Sequence, residues 1–196
     1  MIKQVDNGML GAKLDLRRWL IQRVLEEGKG LHVLDCCAGD RVLWKRLERE
    51  WKPDSYVGLD IKRKPAPVLK ADSVRWLRSM PLKATLVDVD TYGEPWKHWR
   101  TLLRANWTHD RIGVCLTMGN GGKAMGALGN AALKALGIPT TWRKRLPPAC
   151  DARREAAVDA CMYLAVELGC TVLDTREAGG ANRWTRYIAV MLERRG

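Results

Sequence analysis

Between residues 12 and 27, apolar side chains recur as Leu16, Leu20 and Val24 and again as Leu14, Ile21 and Leu25, with Gly28 directly after. Steps of three and four predict an amphipathic helix, and glycine is its natural stop. The residues before it, up to about Gly11, predict no regular element. A short apolar run over 31–35, ending in Asp35, predicts a buried strand. Leu43, Trp44, Leu47 and Trp51 then mark a helix over 41–51, which Pro53 ends. Apolar runs over 56–60, 84–90 and 112–118 predict further strands, with a short one at 67–70. Asp72 or Ser73 is placed to cap a helix carrying Trp76 and Leu77, and Pro95 opens another carrying Trp96, Trp99 and Leu103.

Beyond Met118 the periodicity loosens. Glycines at 119, 121, 122, 126 and 129 and prolines at 139, 147 and 148 surround a helical stretch at 131–136 and the run Arg143-Lys144-Arg145. Asp151 is placed to cap a long helix to Leu168, with Val158, Cys161, Met162 and Ala165 facing inward and Gly169 closing it. Strands over 170–175 and 187–192 finish the chain, joined through the Gly179-Gly180 turn region.

Strands alternating with helices predict an α/β fold: one seven-stranded, mostly parallel sheet with right-handed crossovers. No helix separates the final two strands, so they are expected to be antiparallel neighbours. With no repeat and no break in composition, residues 1–196 read as one domain. Within it, 1–30 form a helical extension and 119–150 a Gly/Pro-rich, basic insert on the substrate side. Ligands of such sheets bind beyond the carboxyl ends of the strands. Asp35, Asp60, Asp72, Asp88 and Asp90 are therefore expected to gather in one crevice.

Composition adds a contrast. The 196 residues hold 34 Lys and Arg against 22 Asp and Glu, a formal charge of +12, and 46% are apolar. The apolar share excludes global disorder, and the charge favours a polyanionic partner without specifying a fold. The five strand-end acids run against that average. Six cysteines form no C-x-x-C pair, no secretory leader precedes them, and no apolar run reaches the roughly 18 residues of a membrane span. These features favour the reducing cytoplasm, with no membrane contact. His32, His98 and His109 have no acid or thiol at metal-ligand spacing, so no metal is expected.

The turn Asp35-Cys36-Cys37-Ala38-Gly39-Asp40 holds a single glycine, and Asp40 sits where a dinucleotide's phosphate would need amides. A nucleoside without phosphates suits it better than NAD or ATP. The run from Val33 to Gly39 resembles the first motif of class I S-adenosylmethionine-dependent methyltransferases, in the D-x-[FC]-[AC]-G form found among nucleic-acid enzymes. Many relatives have glycine where this chain has Arg41. Asp60 matches the ribose-binding acid of that family, and Asp72 the residue beside the adenine amino group. The block from Asp88 to Pro95 is similar to the D-x-D-P-[FY]-G-[ST]-P block of tRNA guanine-N2 dimethyltransferases, and more distantly to the amino-methylase motif. Thr91 replaces its proline and Glu94 its small hydroxyl residue. The additional substrate domain of those tRNA enzymes has no counterpart.

The resemblance implies a Rossmann-like three-layer sandwich, S-adenosylmethionine as cofactor, and methylation of an exocyclic amino group on a nucleic-acid base. RNA, with tRNA processing as a setting, is favoured over DNA. Cofactor contacts fall on Asp35, Cys37, Ala38, Gly39, Asp60, Ile61, Asp72, Ser73 and Asp88. Asp90 would accept the amine's hydrogen bond and then its proton, with Tyr92 stacked on the base. Asp88 is either a second acceptor or a strand cap. Gly93, Pro95, Trp142, Arg143, Lys144 and Arg145 complete the substrate side, although the last four also fit a solvated basic loop. Asp35 and Asp72 also fit structural caps. Cys36 and Cys37 read as packing rather than nucleophilic. Methylation of a small molecule or a protein, and a catalytically silent nucleic-acid-binding fold, stay open as alternatives.

Overall fold

The computed structural model describes residues 9–62, 64–91, 95–118, 151–179 and 185–195, with only the backbone of 151–157. The expected helix 131–136, the insert 119–150, the cap of Asp151 and the turn at Gly180 lie outside the described residues or side chains. The elements in order are α1 (Leu10–Glu26), β1 (His32–Asp35), α2 (Val42–Leu47), β2 (Ser55–Asp60), β3 (Val68–Lys70) and α3 (Ser73–Ser79). Next come β4 (Leu86–Val89), α4 (Trp96–Leu103), β5 (Arg111–Met118), α5 (Asp151–Glu167), β6 (Cys170–Gly179) and β7 (Arg186–Arg194).

Seven strands form one sheet in the order β3-β2-β1-β4-β5-β7-β6. The first five are parallel, and β7 lies antiparallel between β5 and β6. Right-handed crossovers from β1 to β2 and from β3 to β4 run in opposite directions, so their helices cover opposite faces. Side-chain alternation shows the division. Leu86 of β4 packs with Leu20 and Ile21 of α1 and Trp44 of α2. Val87 and Val89 pack with Leu77 of α3, Trp99 of α4 and Cys161 of α5. Asp88 and Asp90 share the parity of Leu86, and Asp35 is the register partner of Asp88, so all three lie on the face beneath α1.

Three details fix the layers. α1 lies so close over β5 that a Cβ on Gly113 would stand 2.8 Å from Leu20 Cγ. Trp99 Nε1 donates to the Cys161 carbonyl at 3.0 Å, tying α4 to α5. The Arg194 guanidinium, 4.6 Å from the Trp107 ring, donates to the carbonyls of Leu103 and Ala105 at 3.0 Å and so closes the C-terminal end of α4. Glycine stops stand where expected, in the left-handed conformation, at Gly28 and Gly169. Helix α2 is shorter than its pattern: regular geometry ends at Leu47, and residues 48–50 continue as turns. Strand β6 runs four residues further than expected, to Gly179.

Candidate functional site

The carboxyl ends of β1, β2 and β4 meet at the turn after β1. The Cys36 amide donates to the Asp88 carbonyl at 2.8 Å and the Ala38 amide to the Leu59 carbonyl at 2.9 Å, so neighbouring strands clamp the turn from both sides. Gly39 has φ +50° and Arg41 φ +58°. Left-handed backbone at a non-glycine residue costs ~1–2 kcal/mol. Glycine would adopt this conformation at no such cost. Arg41 is held instead by its side chain, 4.1 Å over the Tyr56 ring and paired with Glu48. Its Nε is buried without a partner.

Asp60 closes the turn. Its Oδ2 accepts from the Gly39 amide at 3.1 Å and its Oδ1 from the Lys62 amide at 2.7 Å. Each carboxylate oxygen retains a further lone pair for a ligand. Ile61 beside it is 71% exposed, an apolar surface without cover. A Cβ on Gly39 would meet only the Cys37 carbonyl, at 4.0 Å, so the space above the turn is open. Lys64 pairs with Asp40 at 2.9 Å, which fastens part of the basic turn to the site.

The five acids do not share one open crevice. Asp88 is 1% exposed and receives Arg17 at both oxygens, Nε and Nη2 each at 2.6 Å, with Trp44 Nε1 donating at 3.0 Å. Its carboxylate is thus turned into the layer under α1. Asp35 is also enclosed: Tyr56 Oη donates to Oδ2 at 2.8 Å and the Cys37 amide to Oδ1 at 3.3 Å. Burial, reinforced by Asp88, pushes Asp35 up to about 8, against the pull of Tyr56 and Arg17.

Asp90 retains access, with its side chain 19% exposed. Lys13 Nζ lies 2.9 Å from each of its oxygens, and Thr117 Oγ1 donates to Oδ1 at 2.6 Å. Burial alone would raise Asp90, but Arg17, Lys13 and the Thr117 hydrogen bond outweigh it and hold the group below the ordinary carboxylate range. Asp72 is the N-cap of α3, its Oδ1 accepting from the amides of Val74 and Arg75 at 2.9 and 3.1 Å. Ser73 beside it is buried, with Oγ 2.9 Å from His98 Nε2. Burial, then Asp35 and Asp88, pushes the Cys37 thiol up to about 12, which argues against a nucleophile at pH 7.

The structure therefore brings Asp35, Cys37, Ala38, Gly39, Asp60 and Ile61 together around one turn. Asp90 stands at the end of β4, and Asp72 and Ser73 at the start of α3. Pro95 is buried at the N-cap of α4. Tyr92, Gly93, Glu94, Trp142, Arg143, Lys144, Arg145 and Arg63 lie outside the described residues. Sequence reasoning missed Lys13, Arg17, Tyr56 and Thr117. The signal was present for two of them: Lys13 and Arg17 fall four apart on the stripe that continues through Leu20 and Val24. A cation within an apolar stripe requires a buried acid.

Among the described residues no group of three or more His, Cys, Asp or Glu could hold a metal ion. None of the described helices is long and apolar enough to cross a membrane.

No family model matches the chain, and no curated protein matches it. Solved structures do. Trm1 from Pyrococcus horikoshii, in complex with S-adenosyl-L-methionine, superposes with a TM-score of 0.66 at 16% identity over 97% of this chain. This chain spans 56% of the length of that protein. A putative hemolysin from Streptococcus thermophilus gives 0.57 at 10% identity, covering 100% of this chain and 68% of its own. M. jannaschii TYW2, in complex with AdoMet, gives 0.52 at 13% identity over 89% of this chain and 76% of its own. With the observed strand order, these similarities show the class I methyltransferase fold.

Proposed function

We propose that the chain is an S-adenosylmethionine-dependent methyltransferase acting on an exocyclic amino group of a nucleic-acid base, with RNA favoured. One observation carries this reading: an ionised, accessible Asp90 stands at the end of β4, two strands from the open turn formed by Gly39, Asp60 and Ile61. The donor set fits the cofactor. Asp60 has lone pairs for a ribose diol, and Ile61 offers an apolar face for adenine. Gly39, Ala38, Cys37 and Asp35 would line the turn side, and Asp72 and Ser73 the adenine side. Bound there, S-adenosylmethionine supplies an electrophilic methyl on a sulfonium whose charge is lost in the transfer.

The chain's residues supply position and a proton acceptor. Asp90 accepts a hydrogen bond from the amine N–H and aims its lone pair. The exocyclic amine of a nucleobase delocalises its lone pair into an electron-poor ring, so its N-methylated ammonium is a far stronger acid than a carboxylic acid, and even a carboxylate held below its ordinary pKa takes the released proton. Lys13 must first give up one of the two oxygens it holds. Asp88 acts one step back, fixing Arg17 and thereby the field at Asp90. Tyr92 and Gly93 follow Asp90 after Thr91 and would contact the base, with Pro95 setting the start of α4. Trp142, Arg143, Lys144 and Arg145 would grip the surrounding strand by stacking and phosphate contact.

Labelled methyl transfer to total RNA, DNA and protein in parallel, followed by nucleoside analysis, tests the reading. Label in an N-methylated base supports it, and label in protein alone overturns the substrate class. Calorimetry should detect binding of S-adenosylmethionine but not of NAD. Asp60→Ala should weaken that binding, whereas Asp90→Ala should preserve it and abolish turnover. A fully active Asp90→Ala variant would remove the acceptor from the mechanism. The silent-fold alternative draws on the Lys13 contact to both Asp90 oxygens, and it predicts cofactor binding with no transfer to any substrate.

A further inference from the structure

Helices α3 and α4 lie side by side on the face opposite α1, and neither contains an acidic residue. Arg75 and Arg78 on α3 are exposed, as are Lys97 on α4 and Arg104 at its C-cap, while Arg100 is half-buried. Positions 97, 100 and 104 follow the three-and-four spacing of one helix face, as do 75 and 78. The opposite faces bury Val74 and Leu77, and Trp96, Trp99 and Leu103. None of the five cations forms an ion pair with a described residue. One acid, Asp72, feels the charges of Lys97 and Arg75, but its Oδ1 is engaged as the cap of α3.

A solvated amphipathic helix normally mixes signs, because acids three or four residues away stabilise its cations. Helix α1 in this molecule does so: Lys13, Arg17, Arg18 and Arg23 each meet a carboxylate. The α3–α4 surface keeps five like charges side by side at a cost in mutual repulsion, which a polyanion would relieve.

The helix N-termini lie at the carboxyl edge of the sheet, beside Asp72 and Pro95. The cations therefore start at the rim of the site and continue about 10 Å down α4, by its helical rise from Lys97 to Arg104. We propose that this face is a track for the phosphodiester backbone of the substrate RNA, leading away from the site. The proposal rests on the nucleic-acid reading above and adds the surface along which the strand runs. Phosphate contacts of this kind fix register without reading sequence.

The test compares two triple variants of the full chain with equal change in charge. One is Arg78→Gln, Lys97→Gln and Arg104→Gln. The other, on the opposite face of the sheet, is Lys45→Gln, Arg46→Gln and Arg49→Gln, all exposed positions. Binding of bulk tRNA is measured by filter retention across a salt series. Loss of three phosphate contacts should weaken binding ~10-fold at moderate salt and reduce the log–log salt slope by about 2. The second variant should follow wild type, and both should bind S-adenosylmethionine as wild type does. Equal effects of the two variants, or none from the first, would overturn the track. So would phosphatidylserine vesicle binding that the first variant abolishes while tRNA binding persists.

If the first variant fails to fold, acetylation of wild type with and without tRNA decides: protection of Lys97 but not Lys45 supports the track, and the absence of that difference refutes it. Wild type that labels RNA while the first variant binds it normally refutes the track alone. Wild type that labels only protein refutes the nucleic-acid reading instead.

Discussion

Helix α1 and the α3–α4 pair cover opposite faces of the same sheet and use cations in opposite ways. Under α1, Arg17 is enclosed with Asp88, at 2% and 1% side-chain exposure, and Lys13 reaches Asp90. On α3–α4 four of the five cations are exposed, and none forms an ion pair with a described residue. The difference is one of solvation. A buried charge tolerates no missing partner, whereas an exposed one is screened by water and available to a ligand. On these two faces the buried cations are fixed by partners, while the exposed cations of α3–α4 stay open to a ligand.

The largest effect should come from Arg17→Met, which leaves Asp88 buried and unpaired. A loss of about 3–5 kcal/mol is expected in urea or thermal unfolding. Arg17→Met combined with Asp88→Leu should recover much of it, and a single-variant loss below ~1 kcal/mol would break the contrast. Next comes pH. Asp35 is protonated in the fold up to about 8 but ionises near 4 in the unfolded chain, so the native state binds more protons between those values. Its contribution to stability is full below about 4 and is lost as pH rises toward 8. Asp35→Asn should flatten that decline in a pH series of unfolding midpoints, and an unchanged slope would contradict the enclosure of Asp35.

Lys13→Met should alter stability by about 1 kcal/mol or less, because the pair is partly solvated. Its sharper readout is turnover: with one cation gone, the acid limb of the pH–rate profile should move upward, and Lys13→Arg should restore it. The smallest effect on stability should follow neutralisation of Arg78, Lys97 and Arg104. Their melting temperature should match that of wild type while nucleic-acid affinity falls. A large drop in melting temperature would show that these cations are structural after all.

Much of the fold was legible from periodicity. Seven strands, the two glycine stops and the Asp72 cap are local patterns, determined within a few residues of sequence. The pairings under α1 are not local: Arg17 and Lys13 find their acids 71 and 77 residues away. Only the fold brings those partners together, although a cation inside an apolar stripe announces that one must exist. For the same reason Asp88, which strand position alone places at the crevice, turned out to face Arg17. The early end of α2 has a physical cause as well. The Arg49 and Glu50 amides donate to carbonyls three residues back, at Arg46 and Leu47, so the last turn tightens, and Pro53 disfavours helical geometry just before it. Tyr92 and the basic run at 143–145 remain readings from sequence.

The left-handed Arg41 has a consequence for how the turn after β1 is controlled. A glycine at that position would make the turn self-sufficient, with its shape inherent in its own backbone. Here the shape depends on two outside contacts, Glu48 behind α2 and Tyr56 on β2, and Tyr56 in turn holds Asp35. Backbone conformation, aromatic stacking and the protonation of a buried acid are therefore linked in series, so loss of the Glu48 carboxylate would be felt at Asp35.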